Sequence, residues 1–209
     1  MFKNLLKVTL RNIAKDKIYS VINVLGLTIG IACSLFLVLY ILDKLSYDDF
    51  HENSDHVYRV VTHFQEPDNT FSWPNAQIPL AQELEAKYTE VARSVRFIQT
   101  GRELFVHSER DIRFYEEDIF YADSSVFDVF SFSFLAGNPQ SALVEPNSMV
   151  LTESLAQKYF SDQDPIGRSL QNRDNVYKIT GVIQDVPRNS HIDFDGLIAR
   201  STLDNELGS

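Results

Sequence analysis

Residues 18–42 read IYSVINVLGLTIGIACSLFLVLYIL, and this run of 25 residues without a charge decides how the chain is organised. Fifteen of the 25 residues are Leu, Ile, Val or Phe. A helix of this length is about 37 Å long, which exceeds a hydrocarbon core of about 30 Å. Its apolar side chains favour insertion by about 4.5 to 9 kcal/mol. The run therefore predicts a transmembrane helix over 18–42.

Two other interpretations of the run fit less well. A cleaved signal peptide has an apolar region of only about 7–15 residues and a small-residue cleavage site. Here the run is longer and is followed by Asp43-Lys44-Leu45. A buried helix of a soluble protein does not need 25 consecutive uncharged residues.

The charges that flank the run predict its orientation. Residues 1–17 carry five basic residues and one acidic residue, whereas residues 44–209 carry 14 basic and 27 acidic residues. By the positive-inside rule, residues 1–17 lie in the cytoplasm and residues 43–209 form a periplasmic domain on an inner-membrane anchor. The acidic balance of that domain argues against nucleic acid as a ligand, since phosphate binding needs clustered Lys and Arg.

The cytoplasmic segment also has helical periodicity. Basic residues recur every four positions on one face: Lys3, Lys7, Arg11 and Lys15. Apolar residues that include Phe2, Leu6 and Leu10 lie on the opposite face. This pattern predicts an amphipathic helix on the membrane surface with its cations toward anionic lipid headgroups. A simple basic flank is the alternative interpretation.

Within the predicted span, Gly26, Gly30 and Ser34 are spaced by four residues. On a helix they form a stripe of small side chains that lets a second helix approach closely. The stripe predicts a packing face toward a partner or toward later helices. The alternative is chance, because Gly is common in membrane helices.

The remainder predicts an α+β domain that opens with a strand–helix–strand unit. Residues 57–64 and 93–99 have the composition of strands, and an amphipathic helix begins after Pro79. Residues 65–77 are rich in Pro, Asn and Asp and predict a loop. Further predicted strands are 103–107, 111–117, 147–151 and 176–184, the last with Gly181 as a bulge. Thr152 is predicted to cap a helix that ends near Phe160.

Residues 124–134 concentrate aromatic and aliphatic side chains. We interpret them as part of the domain core, and a ligand pocket or partner surface is the alternative. Three arginines, Arg102, Arg110 and Arg113, are interpreted as solvated residues paired with nearby acids.

No catalytic motif is present in the sequence. It lacks G-x-x-x-x-G-K-[ST] and G-x-S-x-G, and its only cysteine, Cys33, lies in the predicted span. His51 lies near Asp48, Asp49, Glu52 and Asp55, but we interpret these as solvated polar groups. His191 lies beside Asp193 and Asp195, which we interpret as loop caps. The sequence thus predicts no enzyme, cofactor or metal. A membrane-anchored hydrolase or metal enzyme, which would use the His and Asp clusters around His51 and His191, is a third interpretation.

An ordered series of motifs resembles one transporter family. It begins with Phe2-Lys3-Asn4 and Leu10-Arg11-Asn12 before the span, and Tyr47-Asp48-Asp49-Phe50-His51 and Val57-Tyr58-Arg59-Val60 after it. It continues with Phe127-Asp128-Val129-Phe130, Leu135-Ala136-Gly137-Asn138-Pro139, Val150-Leu151-Thr152-Glu153-Ser154-Leu155-Ala156, Asp164-Pro165-Ile166-Gly167, Tyr177-Lys178-Ile179-Thr180-Gly181-Val182 and Val186-Pro187-Arg188-Asn189-Ser190-His191. Taken together, these motifs resemble the permeases of the MacB/FtsX group of ABC transporters, with their N-terminal membrane helix and MacB-like periplasmic core domain.

The resemblance implies a non-catalytic transmembrane subunit. A cytoplasmic ABC ATPase, separate or fused, would hydrolyse ATP, and a second permease copy or paralogue would complete a dimer. The periplasmic domain would then move a substrate or act on a periplasmic partner. Family members have at least three membrane helices after this domain, so a chain that ends at Ser209 is expected to be truncated and its domain incomplete at the C-terminus.

One function of another class stays open from the sequence. A chain with one predicted span and no catalytic motif is also compatible with a membrane-anchored periplasmic binding or sensor domain that has no transport role.

Overall fold

The computed structural model describes Lys15 and residues 17–67, 69–107, 109–173 and 175–207. The chain divides into two compact units, Met1–Tyr47 and Asp48–Ser209, each of which is described by itself.

The first unit contains helix α1, Lys17–Leu45, which is long and apolar enough to cross a membrane. It contains the whole predicted span of 18–42, and none of its side chains is buried. The hydroxyls of Thr28 and Ser34 donate to the carbonyls of Val24 and Gly30, at 2.7 and 2.9 Å. These polar side chains are therefore satisfied within the helix, as an apolar surrounding requires.

The second unit is built on two sheets, which confirms the predicted α+β class. A two-stranded hairpin of β1 (Thr62–Glu66) and β2 (Asn69–Trp73) precedes a mixed sheet of nine described strands. The nine strands are β3 (Phe97–Gln99), β4 (Glu103–His107), β5 (Ile112–Glu116), β6 (Ile119–Ala122), β7 (Phe134–Gly137), β8 (Ser148–Thr152), β9 (Ser169–Gln171), β10 (Val176–Ile183) and β11 (Gly196–Ala199).

The order of the large sheet is β3-β6-β11-β8-β10-β9-β4-β5. Strand β11 lies between β6, to which it is parallel, and β8, to which it is antiparallel. Strand β10 pairs with β8 along one edge, and on its other edge β9 and β7 lie beside its first and second halves. The four residues of β11 are all buried, so this late strand is central to the domain.

Four helices accompany the strands in the described part of the second unit. They are α2 (Leu80–Lys87), α3 (Val126–Val129), α4 (Glu153–Phe160) and α5 (Arg200–Leu207). The predicted cap of α4 is confirmed, because the Thr152 hydroxyl accepts the Leu155 N–H at 3.3 Å. The buried face of α4, which includes Leu155, Tyr159 and Phe160, packs in a cluster with β4, β8 and β10.

The aromatic run at 124–134 is part of a second core cluster, as predicted. Val126 and Phe130 are buried there with Phe194 and Leu197, and Phe132 packs against them. The rings of Phe132 and Phe194 meet edge to face at 5.1 Å between centroids. This cluster joins the segment around α3 to the chain that leads into β11.

The first strand of the domain differs from its prediction. The strand predicted at 57–64 is found at Thr62–Glu66, and the predicted loop of 65–77 contains β2. Pro67, Asn69 and Pro74 favoured a loop. Pro67 lies in the turn of the hairpin, Asn69 is the first residue of β2, and Pro74 directly follows that strand. The rings of Phe64 and Phe71 stack across the two strands with their centroids 5.3 Å apart. The cross-strand aromatic pair explains why strands form on both sides of the turn.

The register of β10 against β8 shifts between Ile179 and Gly181, which confirms the predicted bulge. Gly181 is opposite Gly137 of β7, and Gly137 has a φ of +92°. A Cβ on Gly137 would lie 2.4 Å from the carbonyl oxygen of Thr180. Only glycine fits at this position, because both its conformation and its distance from β10 exclude a side chain.

A partly buried ion-pair network ties α5 to the edge of the sheet. Both oxygens of Asp123 bind the guanidinium of Arg96, at 2.8 Å each, and the Nε of Arg200 donates to the same carboxylate at 2.6 Å. Arg200 also pairs with Asp204 of α5. Burial acts to raise the pKa of Asp123, but the hydrogen bonds from both arginines outweigh it and hold the pKa below its ordinary value of 3.8.

Replacing Gly137 by alanine should destabilise the domain by about 3 kcal/mol, since positive φ and a backbone clash add together. Gly167, with φ +79° and nothing within 4 Å of its Cβ position, is the matched control. Gly167→Ala should cost about 1 kcal/mol. Urea denaturation of the full chain in detergent, followed by circular dichroism, measures both values. Equal losses in the two variants would contradict the close approach of β7 and β10.

Asp123→Asn should destabilise the chain by about 2–3 kcal/mol at pH 7, because two partly buried guanidinium groups lose their counter-charge. The folded pKa lies below the unfolded one, so the wild-type advantage is complete above about pH 4 and disappears as the pH falls through the folded pKa. Melting temperatures at pH 7 and pH 3 measure this loss. Exposed Asp162→Asn is the control and should have little effect at either pH; a constant gap between wild type and Asp123→Asn would contradict the ion pairing.

Candidate functional site

The polypeptide enters the second unit at Asp48, directly after the residues that follow α1. The first residues of the unit contact two loops that are distant in sequence, one after α3 and one before β11. We call this arrangement the clasp, and it consists of Asp48, His51, Glu52, Ser131, Asn189 and His191.

Asp48 holds the loop that precedes β11. Its backbone N–H donates to the carbonyl of Asn189 at 2.9 Å. Its carboxylate accepts the backbone N–H of His191 at 2.9 Å and the Nδ1 of the same residue at 2.7 Å. Asp48 has a φ of +58°, a left-handed conformation that Asp tolerates better than most residues, and this turns both its backbone and its side chain toward the loop.

The charge of Asp48 is stabilised in the clasp. Partial burial acts to raise the pKa of this carboxyl, but the hydrogen bonds and the imidazole of His191 outweigh burial. The pKa of Asp48 therefore lies below its ordinary value of 3.8, and the side chain is a carboxylate at neutral pH.

His51 is the buried member of the clasp, with 4% of its surface exposed. Its ring lies among Phe50, Phe130 and Phe132, with centroid distances of 3.9, 5.1 and 5.4 Å. Its Nδ1 accepts the backbone N–H of Ser131 at 3.1 Å, so the proton of the neutral ring is on Nε2. Nε2 is buried and has no hydrogen-bond partner among the described residues.

Burial lowers the pKa of His51 below its ordinary value of 6.5, and the nearby carboxylate of Asp48 opposes part of that effect. The interpretation of His51 as a solvated polar group is therefore wrong. An aromatic pocket formed by the segment after α3 encloses it, and sequence proximity to Asp49, Glu52 and Asp55 gave no sign of that pocket.

Ser131 completes the clasp from the segment after α3. Its hydroxyl oxygen accepts the backbone N–H of Glu52 at 2.9 Å, while its own N–H binds His51. Two adjacent residues of the entering chain are thus fixed to a single residue 79 and 80 positions away. The arrangement fastens one chain segment to two loops and places no nucleophile or base beside a cavity.

The structure brings together His51, Asp48 and His191, which the sequence analysis treated as two separate groups. His191 binds Asp48, whereas we expected loop caps from Asp193 and Asp195. Among the described residues, no group of three or more His, Cys, Asp or Glu side chains has a geometry that could hold a metal ion. Asp48 and His51 belong to the motif at residues 47–51, and His191 belongs to the motif at residues 186–191. No pattern in the sequence indicated that these two motifs are in contact in the fold.

Of the three arginines interpreted as solvated residues paired with acids, two form ion pairs and the third binds a backbone carbonyl. Arg102 pairs with Glu117 at 3.3 Å, and Arg113 Nε pairs with Asp111 at 2.9 Å. Arg110 instead donates to the carbonyl of Phe160 at 3.0 Å and thereby caps the C-terminus of α4.

Gly26, Gly30 and Ser34 lie along one side of α1 and line a shallow groove with Leu27, Ile31 and neighbouring residues. A Cβ added to Gly26 or Gly30 would meet nothing within 4 Å. Of the predicted basic face, Lys15 is helical and exposed, and Lys3, Lys7 and Arg11 lie outside the described residues. Both predictions, for the packing face and for the basic face, stay predictions.

A model of the family described as the MacB-like periplasmic core domain matches residues 20–207. No match was found among the curated proteins. Among solved structures, a domain of a proposed permease protein from Porphyromonas gingivalis is similar, with 25% identity and a TM-score of 0.52 over 58% of this chain and 56% of that chain.

The periplasmic region of MacB from Actinobacillus actinomycetemcomitans is similar in fold, with 17% identity and a TM-score of 0.51 over 65% of this chain and 60% of that chain. The extracellular domain of the noncanonic ABC-type transporter YknZ from Gram-positive bacteria matches with 14% identity and a TM-score of 0.42. It covers 55% of this chain and 58% of that chain. The chain therefore spans between half and two thirds of each of these structures.

The family match includes most of α1 and the whole clasp, and the motifs that suggested the resemblance lie almost entirely within it. The resemblance is confirmed: the chain belongs to the family of the MacB-like periplasmic core domain, which is found in permeases of MacB-type ABC transporters.

Proposed function

We propose that this chain acts as a non-catalytic permease subunit of an ABC transporter. In this function, ATP hydrolysis by a cytoplasmic partner ATPase moves the periplasmic domain, which exports or extracts a substrate. The observation that carries the proposal is the combination of an apolar helix long enough to cross a membrane with a family domain whose first residues are fixed by the clasp.

The clasp supports a mechanical function because it resists a pull on the chain that enters the domain. Asp48 is bound to the loop before β11, and β11 is the buried strand between β6 and β8. His51 and Glu52 are bound to the segment after α3, which packs in the second core cluster. A displacement of residue 48 would therefore load the centre of the sheet and its core, rather than an isolated loop.

The orientation we propose places the N-terminus in the cytoplasm and residues 43–209 in the periplasm. Its support is the excess of basic residues before α1 and of acidic residues after it. The basic face of Lys3, Lys7, Arg11 and Lys15 would lie against anionic headgroups of the inner leaflet.

The partners we propose are a cytoplasmic ABC ATPase, a second permease copy or paralogue, the lipid bilayer, and a periplasmic protein. We assign the helix contact to the side of α1 with Gly26, Gly30 and Ser34. Absence of large side chains there lets two backbones approach closely. The hydroxyl of Ser34 is already bound to Gly30, so this contact would rest on van der Waals packing.

A second candidate function is a membrane-anchored periplasmic binding or sensor domain without a transport role. The observation in its favour is the hairpin of β1 and β2, which leaves Phe64, Phe71 and Trp73 with 40–52% of their surfaces exposed. An exposed aromatic surface is typical of a binding site for another molecule.

Purification from native membranes separates these two functions. The permease function predicts that the tagged full-length chain co-purifies with an ABC ATPase, and that removing the chain from the reconstituted complex changes the rate of ATP hydrolysis several-fold. Recovery of periplasmic proteins without any ABC ATPase would favour the sensor function.

The orientation has its own test in intact spheroplasts. A tag at the N-terminus should be protected from protease added outside the spheroplasts, whereas residues 48–209 should be accessible to that protease and cleaved. Digestion of the N-terminal tag in intact spheroplasts would exclude the proposed orientation.

Gly30→Leu should weaken association between two copies of α1 by about tenfold, since a large side chain on the packing face separates the helices at a cost of about 1–2 kcal/mol. Energy transfer between fluorescent proteins fused to the N-terminus of the full chain, reconstituted in liposomes, measures this association. Ala32→Leu makes a similar change on the opposite side of the helix and should leave association unchanged. An equal effect of the two variants would reject the assigned face. Among the described residues a Cβ added to Gly30 would meet nothing within 4 Å, so a difference between the variants would not be explained by misfolding.

A further inference from the structure

The clasp contains one ionisable side chain that is almost completely enclosed. His51 is 4% exposed, whereas the side chains of Asp48 and His191 keep 33% and 65% of their surfaces in contact with solvent. A change of protonation at His51 therefore takes place inside the domain, between the entering segment and the segment after α3.

The hydrogen bond to Ser131 requires one protonation state of His51. Nδ1 accepts the hydrogen bond of the Ser131 backbone N–H. A backbone N–H can only donate, so the roles in this hydrogen bond cannot be exchanged. A doubly protonated imidazole has an N–H on both nitrogens and accepts no hydrogen bond. In the charged ring, the N–H on Nδ1 would face the N–H of Ser131 across 3.1 Å, and two donors at that distance repel each other.

The surroundings of His51 offer little to compensate a positive charge. From its own segment, Asp48 is the carboxylate that acts on it, and Asp49 and Glu52 have exposed side chains. The segment Phe130–Phe132 contributes no ionisable group. From the loop before β11, His191 engages the carboxylate of Asp48, which is then already occupied by two hydrogen bonds.

We propose that His51 is an acid-sensitive lock on the clasp, which holds the entering segment to Ser131 when the imidazole is neutral and releases it when the imidazole is protonated. The released segment would include residues 48–56, which contain only one short 3₁₀ turn, Ser54–His56, as regular structure. The link between the membrane helix and the sheet would then loosen in acid while the sheet itself stays folded. This inference holds for a permease and for an anchored sensor alike.

The direction of the pH effect follows from the lowered pKa of His51. A released His51 takes up a proton more readily than the enclosed one, so protons favour release. The closed clasp keeps its full advantage above about pH 6.5 and loses it as the pH falls through the lower pKa of the enclosed ring. Asp48 titrates below pH 3.8 and contributes nothing to this change at pH 5–7.

Hydrogen exchange of the full chain in lipid nanodiscs tests the lock. Between pH 7.5 and pH 5.5, after correction for intrinsic exchange rates, amides of residues 48–56 and of Ser131 should open about three- to tenfold more often; a single proton allows at most tenfold per pH unit. Strand β10 provides the internal reference and should not change. No added opening of residues 48–56, or equal opening in β10, would overturn the proposal.

His51→Asn separates the lock from other titrations. The Oδ1 of asparagine can occupy the place of Nδ1 and accept the Ser131 N–H, but it does not titrate, so this variant should lose the pH response and stay protected at pH 5.5. The matched control is His56→Asn at an exposed position, which should respond like the wild type. His191→Asn should respond as well, and a pH response that survives in His51→Asn or disappears in His191→Asn would overturn the proposal.

A second measurement covers the case in which His51→Asn does not fold. Deuterium exchange at the imidazole carbon, followed by mass spectrometry of the wild-type chain, gives the titration midpoint of each histidine. His51 should titrate below pH 6.5, at the same midpoint as the opening of residues 48–56. A midpoint at or above 6.5, or one separate from the opening, would overturn the proposal.

Discussion

The hydrogen bonds of the Asp48 carboxylate are the interaction that fixes the first residues of the second unit to the rest of that unit. Residues 48–61 form no strand and only a single short 3₁₀ turn, so regular hydrogen bonding does not fix them to the domain. Asp48 attaches them to the loop before β11, and His51 and Glu52 attach them to Ser131. Farther along, Arg59 donates to the carbonyl of Pro74 at 3.3 Å. A left-handed backbone at Asp48 makes this possible, because it directs N–H and carboxylate toward the same loop.

Strand β11 is where the main contacts of the domain converge. β11 is buried at all four residues, lies between β6 and β8, and is preceded by the loop that Asp48 holds. At its other end Arg200 enters the ion-pair network of Asp123, which also fixes Arg96. The chain segments before and after β11 are therefore both held by charged groups. In the permease function that we propose, this strand would carry load across the sheet.

Sequence reasoning predicted features that depend on local chemistry. The 25 uncharged residues identified α1, the Thr152 hydroxyl identified the start of α4, and Gly181 marked the bulge. It missed β6, β7, β9 and β11, which are three or four residues long, because strands of that length show too little periodicity and form through long-range pairing. The clasp was missed for the same reason: Asp48 and His191 are 143 residues apart, and only the folded sheet brings them together.

The back-bonded hydroxyls of α1 have a consequence for recognition in the bilayer. Because Ser34 donates its hydroxyl proton to the carbonyl of Gly30, it has no hydroxyl hydrogen left to offer a neighbouring helix on the side of Gly26, Gly30 and Ser34. This side of α1 can then distinguish neighbouring helices only by their shape. Two glycines and a serine give it a flat surface that many helices could fit. In the helix contact that we propose, selection between an identical and a divergent partner would therefore have to come from parts of the chain outside the lipid, where charges and hydrogen bonds can discriminate between partners.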